Sequence, residues 1–138
     1  YTTLFRSDPL YSFGYGLSYT NYEYSNLKLS KEICSTEDTI TVSVDVTNVG
    51  ESDGTEIVQL YINDLVSSVM TPVKELKGFK RMFIKAGETN TVNINLSISE
   101  LIVVNADEQY VVEPGEFEIM VGSDSRDQSL IKEILTVK

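Results

Sequence analysis

The amino-acid sequence predicts an all-β fold: an antiparallel, Greek-key β-sandwich of seven or more strands. Three observations predict it. Val, Ile and Thr are abundant, while Gly and Pro fall between apolar runs, a distribution that favours pleated, half-buried segments over helices. Several segments alternate apolar and polar residues with a period of two, the spacing at which successive strand side chains face opposite ways. Turn signals separate these segments at roughly 8 to 12 residues, the rhythm of a sandwich. A chain of 138 residues has room for one domain, and at this size folding buries about two-thirds of the unfolded surface, enough for a core of its own.

The elements follow in order. Tyr22–Leu29 is expected as the first strand. In Thr39–Asn48, Ile40, Val42, Val44 and Val46 alternate with Thr41, Ser43, Asp45 and Thr47, which describes one buried and one wet face. The run NVGESDG reads as a loop in which Gly50 and Gly54 supply positive φ. Residues 56–63 are more continuously apolar (Ile57, Val58, Leu60, Ile62), as in a central strand. Residues 70–72 interrupt the pattern, and residues 74–85 resume it with Leu76, Phe79, Phe83 and Ile84. Ala86, Gly87 and Glu88 then turn the chain into residues 89–96, where Val92, Ile94 and Leu96 share a face. Residues 97–100 have the Ser-x-x-Glu spacing of a capping box on one helical turn. Residues 101–104 and 109–112 flank residues 105–108 as a hairpin, and Pro114-Gly115 suits the centre of a type II turn. Phe117, Ile119 and Val121 alternate in the next strand, and Leu130–Val137 closes the chain. No stretch has the length or period of a crossover helix, so a parallel sheet is not expected.

Composition narrows the chemistry. Twenty-one acidic and eleven basic side chains give a formal net charge of −10, a field that repels phosphates, so nucleic acid is excluded as a partner. With no histidine and Cys34 as the single cysteine, this chain supplies neither a Ser-His-Asp triad nor a thiolate or histidine zinc site, and no intrachain disulfide. Cys34 reads as a small, partly buried side chain. No apolar run reaches membrane-spanning length, so a membrane partner is not expected either.

The beginning of the chain differs from the rest. Residues 1–7, YTTLFRS, read as a translated sequencing-adapter oligonucleotide joined in frame to a genuine coding segment. The expectation is that they belong to no fold and that the natural protein extends upstream of Asp8; finding the same seven codons in the intact gene would refute it. Residues 10–24 hold Tyr11, Phe13, Tyr15, Tyr19, Tyr22 and Tyr24, nearly half of the aromatic side chains in the protein. Gly14 and Gly16 break any regular pattern, so residues 8–21 are expected to form an irregular inter-domain linker ahead of a sandwich over residues 22–138. An aromatic segment of this kind marks a contact surface, and Tyr11, Phe13, Tyr15, Leu17 and Tyr19 are the candidate contact residues.

Three motifs in order carry a resemblance. DPLYSFGYGLSYT, then VTNVGESDGTEIVQLY, then PVKELKGF followed by VVEPGEFEIMVG, resemble the C-terminal part of glycoside hydrolase family 3, which includes β-glucosidases and β-xylosidases. Each motif alone is common among sandwiches; their order is specific, and FGYGLSYT is the most specific part. The resemblance covers Asp8 to about Val137. It implies an immunoglobulin/fibronectin type III-like sandwich placed last in its polypeptide. Ahead of it would stand a (β/α)8 barrel with an aspartate nucleophile and an α/β sandwich that usually supplies the glutamate acid/base. No position here matches either catalytic motif. Ser12 stands where the family often has proline, and residues 105–108 lack the glycine usual in that hairpin.

The resemblance implies a non-catalytic accessory domain that packs on and stabilises the catalytic domains of a larger β-glucosidase- or β-xylosidase-like enzyme. Those domains of the same polypeptide are its expected partner, and oligosaccharide substrate is met only through them. No catalytic, cofactor-binding or metal-binding residue is assigned. Retaining glycoside cleavage needs two carboxylates about 5 Å apart in a shaped pocket. Pairs such as Asp107 with Glu108, or Glu113 with Glu116, fall instead in turns and outward positions. Glu51 and Asp53, like Asp124 and Asp127, lack the ligand number and spacing that calcium demands. Lys74, Lys77, Lys80 and Arg81 form the one basic cluster, expected to pair with acidic residues of the sandwich or of a neighbouring domain. The alternative is a free-standing carbohydrate-binding module using Tyr11, Phe13, Tyr15 and Tyr19 as a stacking platform; a cell-surface module in a tandem array is a third. A periplasmic or secreted setting is preferred, with the compartment itself left open.

Overall fold

The structure, a computed structural model, describes residues 18–65 and 74–138. Among the described residues ten strands form: β1 (Tyr22–Leu29), β2 (Ile33–Cys34), β3 (Thr39–Asn48), β4 (Gly54–Asp64), β5 (Glu75–Ile84), β6 (Thr89–Ser97), β7 (Val103–Val104), β8 (Tyr110–Val111), β9 (Gly115–Gly122) and β10 (Leu130–Val137). They build a three-stranded sheet in the order β1-β3-β6 and a five-stranded sheet in the order β2-β10-β9-β4-β5, with β7 and β8 pairing as a small hairpin. The chain passes between the sheets at the β1–β2, β2–β3, β3–β4 and β5–β6 connections and again between β6 and β9, and the expected β-sandwich results.

Alternation in the sequence becomes sidedness in the sandwich. Ile40, Val42, Val44 and Val46 of β3 are at most 1% exposed and face Val58, Leu60, Ile62, Phe117, Ile119 and Val121 of the other sheet in one apolar cluster. Burying each such side chain contributes about 1.5–3 kcal/mol. The outward residues of β3 pair across the strand instead. Thr41 donates to Asn95 at 3.0 Å, Ser43 to Asn93 at 2.6 Å, and Asp45 accepts from Thr91 at 2.6 Å. Thr47 and Thr89 hydroxyls meet at 2.7 Å. This polar ladder holds the β3–β6 register, in which Thr41 faces Asn95 and Thr47 faces Thr89.

Several local expectations are corrected. β2 was not foreseen, and it pairs with β10 in parallel over two residues, so the five-stranded sheet is not wholly antiparallel. Gly50 and Gly54 do not adopt positive φ; among the described residues the glycines that do are Gly87 (φ 81°) and Gly115 (φ 147°). Gly87 takes the left-handed position of the turn closed by Glu88 N–H on Lys85 C=O at 2.9 Å, the sign that a type II turn demands. Gly115 is more extended than the third position of such a turn, because it already opens β9 opposite Val137. The capping box is absent: Ile98–Glu100 is a single 3-10 turn whose Ser97 side chain makes no capping bond and meets the Ser99 hydroxyl at 2.8 Å. The hairpin forms with its loop over residues 105–109, one residue longer than expected, because β8 begins at Tyr110. Glu108 takes the left-handed conformation (φ 60°) that a glycine would hold more easily, and Asn105 Oδ1 accepts the Asp107 and Gln109 N–H groups. Cys34 is buried outright, and burial pushes its thiol pKa up, as expected of an inert core cysteine.

Candidate functional site

Residues 18–21 reach the sandwich at the end formed by the β3–β4 and β5–β6 connections, and Asn48 is the hub that fastens them. By parity Asn48 belongs with Ile40, Val42, Val44 and Val46, so its amide points inward, and it is 0% exposed. A polar group there needs partners for all its donors and acceptors. It has them. Oδ1 accepts from Thr20 Oγ1 at 2.7 Å and from Gly50 N at 3.1 Å, while Nδ2 donates to the Ser52 carbonyl at 2.8 Å and the Ile84 carbonyl at 3.0 Å. Backbone bonds from Val49 N to Asn21 O and from Gly87 N to Asn48 O, each 2.9 Å, add to the closure. Asp53 Oδ1 accepts the Ala86 N–H at 2.8 Å, which employs a carboxylate of the loop once weighed for calcium.

The glycines of this loop are needed for space. A Cβ on Gly50 would collide with Thr20 Oγ1, and one on Gly54 with the Tyr22 hydroxyl and Thr20 Cγ2. NVGESDG is therefore a socket into which Thr20 and Tyr22 fit closely.

Beside the socket the core turns polar. Tyr24 and Glu56 occupy inward positions, and the Tyr22 and Tyr24 hydroxyls lie buried without a hydrogen-bond partner in good geometry. Burial pushes the Glu56 carboxyl up, with help from the Asp124 charge, while the nearby Tyr24 hydroxyl and the Ile57 N–H (3.0 Å) pull it down less strongly. Burial and the Glu56 charge together drive the Tyr24 phenol far above its ordinary value. Asp124, 2% exposed, ends lower than usual: burial works against its charge but is outweighed by the Arg126 fork (Nε 3.0 Å, Nη2 2.8 Å), the Arg126 N–H and Ser129. An open groove of about 380 Å³ runs alongside, lined by Tyr22, Tyr24, Ser129, Leu130 and Ile131 among others.

Of the five contact residues expected from the sequence, Tyr11, Phe13, Tyr15 and Leu17 lie outside the described residues. Tyr19 is wholly exposed, next to the buried Thr20. The hub residue Asn48 escaped the sequence reading, although its signal was there: a polar side chain continuing the inward parity of β3. Asp127 is engaged by Lys74 at 2.7 Å and Lys132 at 3.5 Å. Lys77 pairs with Glu75 at 2.8 Å, so two members of the basic cluster find acidic partners inside the sandwich. Among the described residues no three His, Cys, Asp or Glu side chains group to hold a metal ion.

The fibronectin type III-like domain family model matches residues 56–125. A β-xylosidase from Formosa agariphila is 48% identical over 130 residues, 94% of this chain but 18% of that protein. The thermostable β-glucosidase B of Acetivibrio thermocellus is 47% identical over 121 residues, 87% of this chain and 16% of that protein. Among solved structures, a β-glucosidase involved in saponin metabolism from intestinal bacteria superposes with a TM-score of 0.89 at 38% identity, over 95% of this chain and 18% of that one. The chain thus spans less than a fifth of the relatives it matches. It belongs to the fibronectin type III-like domain family, in the form found in β-glucosidases and β-xylosidases of glycoside hydrolase family 3.

Proposed function

We propose that this domain is a non-catalytic accessory domain of a family 3 glycoside hydrolase, packing on and stabilising the catalytic domains of its own polypeptide. The parent would hydrolyse β-linked glucosides or xylosides. One observation carries the reading: relatives 48% and 47% identical across nearly the whole chain are β-xylosidase and β-glucosidase polypeptides more than five times its length. Two physical features support it. The chain has no histidine and one buried cysteine, and its buried carboxylates Glu56 and Asp124 serve the core rather than a substrate pocket. The Asn48 socket fastens Thr20 and Asn21 to one end of the sandwich, which supports a fixed junction at that end.

The test compares the parent polypeptide with and without residues 8–138, using nitrophenyl β-glucoside and β-xyloside. Loss of half-life at elevated temperature on deletion, with no hydrolysis by the 138-residue chain alone, is the expected result. Turnover by the isolated chain would overturn the proposal, as would a deletion that leaves both stability and activity unchanged.

A further inference from the structure

The outer face of the β4–β5 ribbon exposes three large apolar side chains where a wet sheet face should be polar. Strand parity and register put Phe79, Arg81 and Phe83 of β5 on that face, opposite Gln59, Ile57 and Thr55 of β4. Phe79 is 68% exposed, Phe83 57% and Ile57 46%. Three large apolar side chains surround one arginine. Among the described residues Arg81 makes no ion pair or hydrogen bond, although the chain carries 21 acidic side chains and the neighbouring Lys74 and Lys77 both find partners. Aromatic and arginine side chains are the residues most enriched at the centres of protein interfaces, where an unpaired guanidinium meets a carboxylate of the partner.

Position identifies the occupant. Phe83 is the residue before Ile84, whose carbonyl is bound by Asn48, the same amide that holds Thr20. Thr20 is therefore fastened at the Phe83 end of this face, and in the relatives more than four-fifths of the protein lies outside the matched domain. We infer that Ile57, Phe79, Arg81 and Phe83 form the docking face for the body of the parent polypeptide, which meets it with an apolar surface bearing a carboxylate opposite Arg81. This inference rests on the accessory-domain reading and assigns it a surface that sequence reasoning did not single out.

Hydroxyl-radical footprinting with mass spectrometry tests it, run in parallel on the 138-residue chain and on the parent polypeptide. Labelling of Phe79 (68% exposed) and Phe83 (57% exposed) should fall severalfold in the parent, because the packed core of an interface excludes solvent. Arg81→Glu should restore much of that labelling in the parent and leave the short chain unchanged, since among the described residues Arg81 makes no ion pair or hydrogen bond there. Equal labelling in both forms overturns the inference. If protection then appears elsewhere, such as at Tyr19, the accessory reading stands and only the face is wrong. If it appears nowhere, that reading falls too. Protection of Phe79 and Phe83 in the short chain as its concentration rises would assign the face to a second copy, and so also refute the inference.

Discussion

Replacing Asn48 with alanine tests whether one buried amide holds the leading segment to the sandwich. The substitution removes four hydrogen bonds, at 2.7, 3.1, 2.8 and 3.0 Å, from a side chain with no solvent exposure. At about 1 kcal/mol net per bond, the loss comes to about 4 kcal/mol, with stranded groups at Gly50 and Ile84 keeping it there. That is a large share of the roughly 5–15 kcal/mol by which a domain is stable. Thr20→Val is the control: it removes one of the four bonds and leaves the amide in place, so about 1 kcal/mol is expected. Urea unfolding of the 138-residue chain reads both, with a lowered midpoint and an unchanged slope if the native and unfolded surfaces are otherwise alike. The reasoning is refuted if Asn48→Ala loses no more than Thr20→Val, for then the amide is one contact among many and not a hub.

Three further outcomes are expected. Gly50→Ala should destabilise the chain by about 1–3 kcal/mol through overpacking against Thr20, and the double variant with Thr20→Ala should recover part of the loss; a strictly additive pair would argue against the close fit. Glu56→Gln should raise stability at neutral pH, because the raised folded-state pKa of Glu56 favours folding at low pH and that contribution is lost as pH rises through the raised value. The gap between variant and parent chain should therefore open above about pH 4.3 and close below it, as thermal midpoints against pH will show. Arg126→Met should cost about 2 kcal/mol at neutral pH by leaving the Asp124 carboxylate buried without its fork. Asp124 titrates low, so its contribution is complete above about pH 3.9 and disappears as pH falls through the lowered folded value; acid titrations should show a shallower loss in the variant.

Much of this protein was legible in its sequence, for reasons that particular residues make plain. β3 takes the bounds that alternation sets, because a period of two leaves little choice about which face is buried once Ile40, Val42, Val44 and Val46 are inside. β1 and β10 take the expected bounds although a bulge between Ser25 and Lys28 breaks the parity of the first and the buried Leu130 and Leu135 fall on opposite parities in the second. β2 was missed because two residues carry no periodicity, and its pairing with β10 is a long-range event. The capping box failed because the local pattern cannot say that the turn ends after three residues with the hydroxyl of Ser97 drawn to Ser99.

The sequence by itself determined the sandwich, its want of histidine with a single cysteine, and its likeness to one family, since these follow from residue types and their order. Only the tertiary structure decided why Gly50 and Gly54 are glycines, how Asn48 satisfies an inward amide, and that Phe79, Arg81 and Phe83 share an open face. Each of those depends on which distant backbone lies opposite: Thr20 and Tyr22 over the loop, Ile84 beside Asn48, and Ile57 across from Arg81. Packing across the sandwich sets those neighbours, and local sequence does not specify them.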